Sequence, residues 1–409
     1  MKEKRSKSGE MTTTTIDKIK TIKTLNHIAE SGLAIFNEEN YRIDTKAEDP
    51  DAIVVRSYPL HDMTFGENLK AIARAGAGVN NIPVDKCSDR GVVVFNTPGA
   101  NANAVKEIVL ASLMASSRNL FLGLQWVDTL KGKGNEVPKL VEEGKKQFVG
   151  REVKGKKLGV IGLGAIGALV ANDALSLDMD VIGYDPYISV DTAWALSRNV
   201  QRAMDMDEVF EQSDYITIHV PLTDETKGML NAETFQKMKP GVHILNFSRG
   251  GLVDEEDLEK ALESGQVGKY ITDFPTDRIL QMKNAIALPH LGASTIESEE
   301  NCARMATRQV KDFLETGNIR NAVNFPNAVL PFNGKRRITV FHRNVPNRVG
   351  QSSAIISKRD LNIAAMINKS RGDLAYTMID IDEKVNGDVL PGIEADIKEI
   401  KDVIRVRFL

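Results

Sequence analysis

Three polar side chains stand where the chain could do proton and carboxylate chemistry. Arg249 lies in NFSRGGLVD, Asp277 in DFPTDR and His290 in PHLGAST. Each follows a short apolar run that reads as a strand, and the carboxyl ends of strands are where open parallel sheets bind ligands. A histidine titrates near neutral pH, so it can take the proton of a hydroxyl group. A carboxylate against its far ring nitrogen would fix the tautomer and favour imidazolium. An arginine can hold a substrate carboxylate with two parallel hydrogen bonds and polarise a carbonyl. The two glycines after Arg249 leave room for a substrate. Taken alone, His290 would read as a core or capping histidine; three such groups at equivalent strand ends read as a catalytic set.

The cofactor that such a set would serve is written 87 residues before Arg249. Gly162, Gly164 and Gly167 form G-x-G-x-x-G after an apolar strand and before an Ala-rich helix, the context that gives this short motif its meaning. The first glycine permits a tight turn, the second lets the backbone approach a pyrophosphate, and the third lets helix and strand pack closely. The helix N-terminus then offers free N–H groups and its dipole to phosphate. Asp185 ends the next strand, 23 residues after Gly162. A carboxylate there can accept hydrogen bonds from a ribose and would repel a 2′-phosphate, so the expected cofactor is NAD rather than NADP. The chemistry expected is oxidation of a secondary alcohol by hydride transfer to nicotinamide.

The elements around these residues alternate. DAIVVRS reads as a buried strand, NLKAIARAG as a helix ending on Gly76, and GVVVFNTPG as a strand stopped by Pro98 and Gly99. Residues 103–128 read as one long helix, and 129–157 as a loop with short helical pieces. KKLGVIG, DVIGYDP, YITIHVP, VHILNFS and GKYITDF read as strands with helical stretches between them, and AIALPH as one more short strand. That rhythm predicts an α/β, Rossmann-like, doubly wound parallel sheet. Ser294 and Glu297 suggest a capping box for a helix running to about Thr316. Residues 322–336, with two prolines and a glycine, read as a linker. Beyond it TVFHR, PNRVGQSSAIISK, LNIAAMINKSR, LAYTMIDID, LPGIEADIKEI and VIRVRF give β-α-β-β-α-β, the ferredoxin-like order.

Length and composition bound the rest. A chain of 409 residues implies two or three domains. With 53 basic and 56 acidic residues, the net charge of -3 gives no electrostatic case for nucleic acid or a membrane surface. No apolar run approaches the length of a bilayer span. MKEKRSKSGEMTTTT has no apolar core, so it reads as a tail rather than a secretory signal. Two cysteines, Cys87 and Cys302, exclude a disulfide scaffold and suit a reducing, cytoplasmic setting. No metal site is expected.

GVIGLGAIG, HVPLTDETKGM, NFSRGGLVDEEDL and LPHLGAST resemble the D-2-hydroxyacid dehydrogenase family from about residue 50 to 320. The resemblance implies a split, flavodoxin-like substrate domain (1–104 and 294–325) into which a cofactor domain (105–293) is inserted, with the active site in the cleft between them. It implies that Arg249 binds substrate, that His290 is the acid/base and that Asp277 is its carboxylate partner. The family usually has Glu where Asp277 stands and Pro where Arg278 stands. Cofactor contacts carried over by the motifs are Gly162, Gly164, Ala165, Ile166, Gly167, Asp185, His219, Pro221, Thr226, Ser248, Asp273 and Gly292. Within the family, VVRS, ARAGAGVNNI and FNTPGANANAVKE resemble the branch that acts on 3-phosphoglycerate. That implies substrate contacts at Arg56, Ser57, Arg74, Gly78, Val79 and Asn101, with Arg56 and Arg74 facing the phosphate. Lys145 and Lys146 are candidate donors from a neighbouring subunit, and a homodimer or homotetramer is implied.

After a linker at 326–336, residues 337–409 resemble an ACT domain, a small amino-acid-sensing module. The resemblance places His342 and Asn344 in the loop after its first strand and Asn362 on its second, where serine-regulated relatives bind L-serine. Asn347 stands where the family commonly has a glycine. Two rivals stay open: a sister enzyme acting on glycerate, glyoxylate or another 2-hydroxy acid, and an NAD-sensing regulator on the same fold.

Overall fold

A computed structural model describes residues 19–332, 336–382 and 390–409. The N-terminal tail and residues 333–335 of the expected linker lie outside the described residues. The chain divides into two compact units, one formed by residues 1–97 and 302–409 and the other by 98–301.

The first unit opens with five parallel strands: β1 (Lys20–Leu25), β2 (Tyr41–Ile43), β3 (Ala52–Val55), β4 (Ala71–Arg74) and β5 (Val93–Phe95). Their order is β2-β1-β3-β4-β5, the flavodoxin-like order. Residues 71–74, read from sequence as part of a helix, are a strand. Ala71, Ile72 and Ala73 are all fully buried in mid-sheet, paired to β3 and β5. Burial on both faces overrides the helical preference of alanine.

The second unit holds seven parallel strands: β6 (Lys157–Ile161), β7 (Asp180–Tyr184), β8 (Gln201–Arg202), β9 (Tyr215–Ile218), β10 (Val242–Asn246), β11 (Val267–Thr272) and β12 (Ala285–Ala287). They run in the order β12-β11-β10-β9-β6-β7-β8, which is doubly wound, as expected. Apolar clusters cover both faces. One contains Phe210, Phe235, Leu252 and Tyr270, the other Val109, Leu113, Val170 and Leu245. The single helix expected over 103–128 is two, Ala102–Ser117 and Leu120–Asp128, bent by 68°. Asn119 at the break has φ +54°, and the Lys269 ammonium binds both the Ser116 carbonyl and the Asn119 side chain. An asparagine that tolerates the left-handed region, held by a lysine, ends the first helix.

The helix after His290 runs Ile296–Thr316. Its first turn is capped by Thr295, whose hydroxyl accepts from Ser298 N at 3.1 Å, rather than by Ser294. Beyond it, β13 (Arg336–Arg343), β14 (Ile363–Arg371), β15 (Leu374–Ile381) and β16 (Val403–Phe408) form an antiparallel sheet in the order β14-β15-β13-β16. With helices Arg348–Ser357 and Leu390–Lys398 this is the ferredoxin-like module that the sequence rhythm anticipated. Arg337, fully buried, is its anchor. Its Nε and Nη2 bind Asp380 at 2.6 and 2.8 Å, and its Nη1 binds the Thr316 carbonyl at 2.7 Å.

Candidate active site

The winding of the seven-stranded sheet reverses between β6 and β9, so the loops after these strands flank a crevice. Gly162 follows β6 with φ +90°, and a Cβ there would come within 2.7 Å of the His219 carbonyl oxygen after β9. A Cβ on Gly167 would lie 1.9 Å from the Gly162 oxygen, which is why helix Ala165–Leu175 can pack this close. Gly164, at the N-cap of that helix, differs. A Cβ there meets nothing within 4 Å, so the space over it is open. Ala165 and Ile166 form the first turn beneath that space.

The residues expected around a dinucleotide line the same sheet end. Asp185 accepts from Leu163 N and Tyr187 N, both at 2.8 Å, and so ties the glycine loop to the end of β7. The His219 ring binds the Thr217 hydroxyl through Nε2 at 3.0 Å, while its Nδ1 is buried without a partner. Burial lowers its pKa to about 3, so the ring is neutral at physiological pH. Thr226 donates to the Pro221 carbonyl at 2.6 Å and shapes the loop after β9. Ser248 donates to the Ile218 carbonyl at 2.7 Å and joins the ends of β9 and β10.

Asp273, 1% exposed, is the electrostatic centre. Its Oδ2 accepts from Gly292 N at 2.8 Å, and its Oδ1 is buried without a partner. Burial raises its pKa, and the Gly292 amide, His290 and Arg249 oppose that rise. The buried carboxylate therefore feels both expected catalytic side chains. His290 takes φ +39°, and its backbone N–H reaches the carbonyls of Asp273 and Leu288 at 3.1 and 3.0 Å. Its ring lies 4.8 Å from that of Phe274, whose Cβ is also the nearest atom to a side chain built on Gly250. Arg249, Gly250, Phe274 and His290 thus share one neighbourhood. Arg249 is exposed, with Nη1 on the Ser248 carbonyl at 2.6 Å.

Sequence reasoning missed the support beneath it. Asn246 is fully buried; it donates to the Arg249 carbonyl at 2.8 Å and the Tyr270 hydroxyl at 3.1 Å, and accepts from Ser248 N at 3.1 Å. An asparagine ending an apolar strand, NF before SRGG, was the available signal.

Asp277 does not meet His290 by a hydrogen bond in this arrangement. It opens the short helix Asp277–Gln281, capped by Thr276, and its carboxylate accepts from Gln281 Nε2 at 2.9 Å. The neighbouring Arg278 is tied by Nε and Nη2 to Glu259 at 2.9 and 2.7 Å, so the loop is anchored rather than freed.

In the first unit, Arg56, Ser57, Arg74, Gly78 and Val79 gather at the carboxyl ends of β3 and β4. Arg74 Nε binds the Arg56 carbonyl at 3.0 Å. Ser57 N and Tyr58 N both bind Asn26 Oδ1, at 3.0 and 2.6 Å. Asn26 follows β1, has φ +66°, and stands where the winding of this sheet reverses; it too was missed. Asn101 lies before helix Ala102–Ser117, and Lys145 is paired with Glu142.

In the module, His342 lies on β13 itself, not in the loop after it. It is 3% exposed, its Nδ1 on the Arg343 carbonyl at 2.8 Å and its Nε2 on Thr377 at 2.9 Å. Asn344 Nδ2 donates to the Gly372 carbonyl, and Asn362 Nδ2 to Asp382. Those partners flank opposite ends of β15, whose eight residues span roughly 25 Å at about 3.3 Å per residue. Asn347 has φ +68°, so an asparagine takes the left-handed conformation that a glycine would supply.

Residues 110–292 match the NAD binding domain of the D-isomer specific 2-hydroxyacid dehydrogenases. A hydroxypyruvate reductase of Thermotoga maritima is 39% identical over 261 residues, 61% of this chain and 80% of that protein. A D-3-phosphoglycerate dehydrogenase of Synechocystis is 40% identical over 288 residues, 68% of this chain and 49% of that protein. The chain spans about half the length of the phosphoglycerate dehydrogenases it matches. Among solved structures, the NAD+-bound 3-phosphoglycerate dehydrogenase of Entamoeba histolytica aligns with a TM-score of 0.60 at 29% identity, over 76% of this chain and 99% of that one. With its doubly wound sheet, its glycine loop and these relatives, the chain belongs to the D-isomer specific 2-hydroxyacid dehydrogenases, and residues 110–292 carry the family's NAD-binding domain.

Proposed function

We propose that the protein oxidises 3-phospho-D-glycerate to 3-phosphohydroxypyruvate with NAD, the opening reaction of serine biosynthesis. The observation that carries the chemistry is the buried Asp273 carboxylate, which is sensitive to both His290 and Arg249 at the carboxyl edge of the sheet. The orphaned Asp273 Oδ1 and the open space over Gly164 fit a carboxamide donor and a pyrophosphate. NAD, when bound, supplies the hydride acceptor. His290 takes the proton of the C2 hydroxyl on a ring nitrogen. Arg249 holds the substrate carboxylate with its exposed guanidinium. Asp185 holds the ribose and sets the preference for NAD. Arg56 and Arg74 are assigned to the phosphate, with Ser57 and the Gly78 and Val79 amides to the carboxylate end. Asp277 remains the proposed partner of the imidazolium, after the loop of helix Asp277–Gln281 moves.

Identity of 33–40% to phosphoglycerate dehydrogenases supports this substrate. The hydroxypyruvate reductase match is the observation behind a second, less supported reading in which the substrate lacks the phosphate. NADH formation from 3-phosphoglycerate against D-glycerate separates them. A preference for D-glycerate would overturn the first reading. The C-terminal module is proposed as an ACT domain that binds L-serine between two copies. Head-to-tail pairing would bring Asn344 of one module toward Asn362 of the other. An oligomer and a cytoplasmic setting complete the reading.

A further inference from the structure

A cavity of about 630 Å³ lies within the first unit, between the β1–β5 sheet and the C-terminal module. That volume falls in the range of small-molecule sites. Its lining carries five cations, Lys70, Arg90, Lys398, Arg405 and Arg407, and two carboxylates, Glu67 and Glu394. Pairing accounts for three of the cations. Arg90 meets Glu67 at 3.1 Å, Lys398 meets Glu394 at 2.5 Å, and Lys70 meets Asp51 at 2.6 Å.

The other two meet main-chain carbonyls. Arg405 reaches those of Leu69 and Glu67. Arg407 reaches those of Phe313 and Leu314 only at 3.5 and 3.4 Å, with its guanidinium 4.4 Å over the Phe313 ring. It is 8% exposed, and its Nη1 has no hydrogen-bond partner. A buried guanidinium nitrogen without an acceptor is costly unless something supplies one. Burial lowers the pKa of Lys70 and Arg405 and brings that of Arg407 to about 10; neighbouring positive charge adds a smaller lowering in each, against Asp51 at Lys70 and Tyr376 at Arg407.

We propose that this cavity is a binding site for a small multivalent oxyanion, a phosphate or polycarboxylate, held by Arg405 and Arg407 with Lys70, Arg90 and Lys398 at its rim. The ligand would touch β16 and helix Leu390–Lys398 on one side and the ends of β4 and helix Val84–Asp89 on the other. It would therefore clamp the module to its host and occupy a position separate from the substrate arginines Arg56 and Arg74.

The test uses the full chain. Inorganic phosphate and citrate are titrated calorimetrically at constant ionic strength, in the wild type and in an Arg56→Gln background that weakens the proposed substrate-phosphate site. At least one anion is expected to bind in both. Arg407→Met keeps an apolar stem over Phe313 and should weaken that binding by about tenfold or more, the usual loss for a hydrogen bond to a charge. Lys398→Gln, on an exposed helix face, should weaken it by a smaller factor and decides the matter if Arg407→Met does not fold. Catalysis in phosphate-free buffer should stay within twofold for both variants. Phosphate binding alone, or citrate binding alone, assigns the charge type. No binding of either anion at 10 mM (roughly the weak end of small-ligand affinity), or variants that titrate like the wild type, would overturn the proposal. Binding lost only with Arg56→Gln would place the anion at the substrate site and also overturn it.

Discussion

Alanine at Gly164 and alanine at Gly167 add the same methyl group three residues apart and should fail in different ways. At Gly164 the backbone has φ -70° and ψ -161°, which alanine adopts, and the methyl meets no protein atom within 4 Å. Removing a glycine from the unfolded chain stabilises by about 0.4–1 kcal/mol. Losing glycine at an N-cap costs about as much. The two nearly cancel, so the fold should be unaffected within roughly 0.5 kcal/mol. The methyl does occupy the space a pyrophosphate must enter. Displacing one phosphate oxygen from a helix N–H forfeits a hydrogen bond worth about 1.5–3 kcal/mol, a loss of about 10- to 150-fold in NADH affinity. At Gly167 the methyl would lie 1.9 Å from the Gly162 oxygen, a main-chain atom that has no rotamer to escape into. Overpacking of this kind costs about 1–3 kcal/mol, and a main-chain partner puts it at the upper end. A domain of this size then melts roughly 6–12 °C lower, at about 2–4 °C per kcal/mol. NADH fluorescence titration and thermal unfolding of both variants read the two quantities. If Gly164→Ala binds NADH like the wild type, or melts as low as Gly167→Ala, the assignment of the loop is wrong.

Other perturbations follow from single contacts. His290→Ala should lower turnover by about 10²–10⁴ while leaving NADH binding nearly unchanged; near-normal turnover at neutral pH would remove the acid/base role. Asp185→Ser with Tyr187→Arg should raise the use of NADP relative to NAD. It should also lower the melting temperature slightly, because two loop amides lose their acceptor. Arg337→Met strands the buried Asp380 carboxylate and should destabilise the first unit by about 3–5 kcal/mol, and Arg337→Met with Asp380→Leu should recover much of that in denaturant unfolding. Burial lowers the pKa of His219 to about 3 and that of His243 to about 4, so between those values and about 6.5 the unfolded chain binds more protons. Stability should fall as pH drops through that window, and His243→Gln should flatten the fall in a pH series of melting curves.

The elements most legible in the sequence were those whose pattern is forced by burial. Strands β6, β7, β9, β10 and β11 are apolar runs closed by turn residues, and the ferredoxin-like module alternates cleanly from β13 to β16. Opacity began where local preference and tertiary context disagreed. The alanines of β4 favour helix alone and strand only when sandwiched between neighbours. The break at Asn119 depends on Lys269, 150 residues away. At the site, residue types and strand ends pointed to Arg249, Asp277 and His290 because glycines and prolines mark those loops, whereas Asp273 entered only through the family resemblance. Asn246 and Asn26, which hold the loops in shape, carry no motif. The pairing of Asp277 with His290 rested on resemblance, and the local contact its carboxylate makes, accepting from Gln281 one helical turn on, carries no signal in the sequence.

The hydrogen bonds from the C-terminal module to its host run mostly to carbonyl oxygens, beside an Arg343–Asp89 ion pair and the packing of Phe341 on Phe313 and Phe325. Arg337 reaches those of Thr316 and Pro331, Arg371 that of Ala322, Tyr376 that of Gly317, and Arg405 those of Leu69 and Glu67. A carbonyl is present whatever residue bears it. The host residues that bear those carbonyls can therefore drift in sequence while the bonds persist, whereas Asp89, Phe313 and Phe325 contribute through their side chains. A module built this way is portable: grafted onto a related host with the same backbone course, it should dock through those arginines once the host supplies aromatic rings at the positions of Phe313 and Phe325.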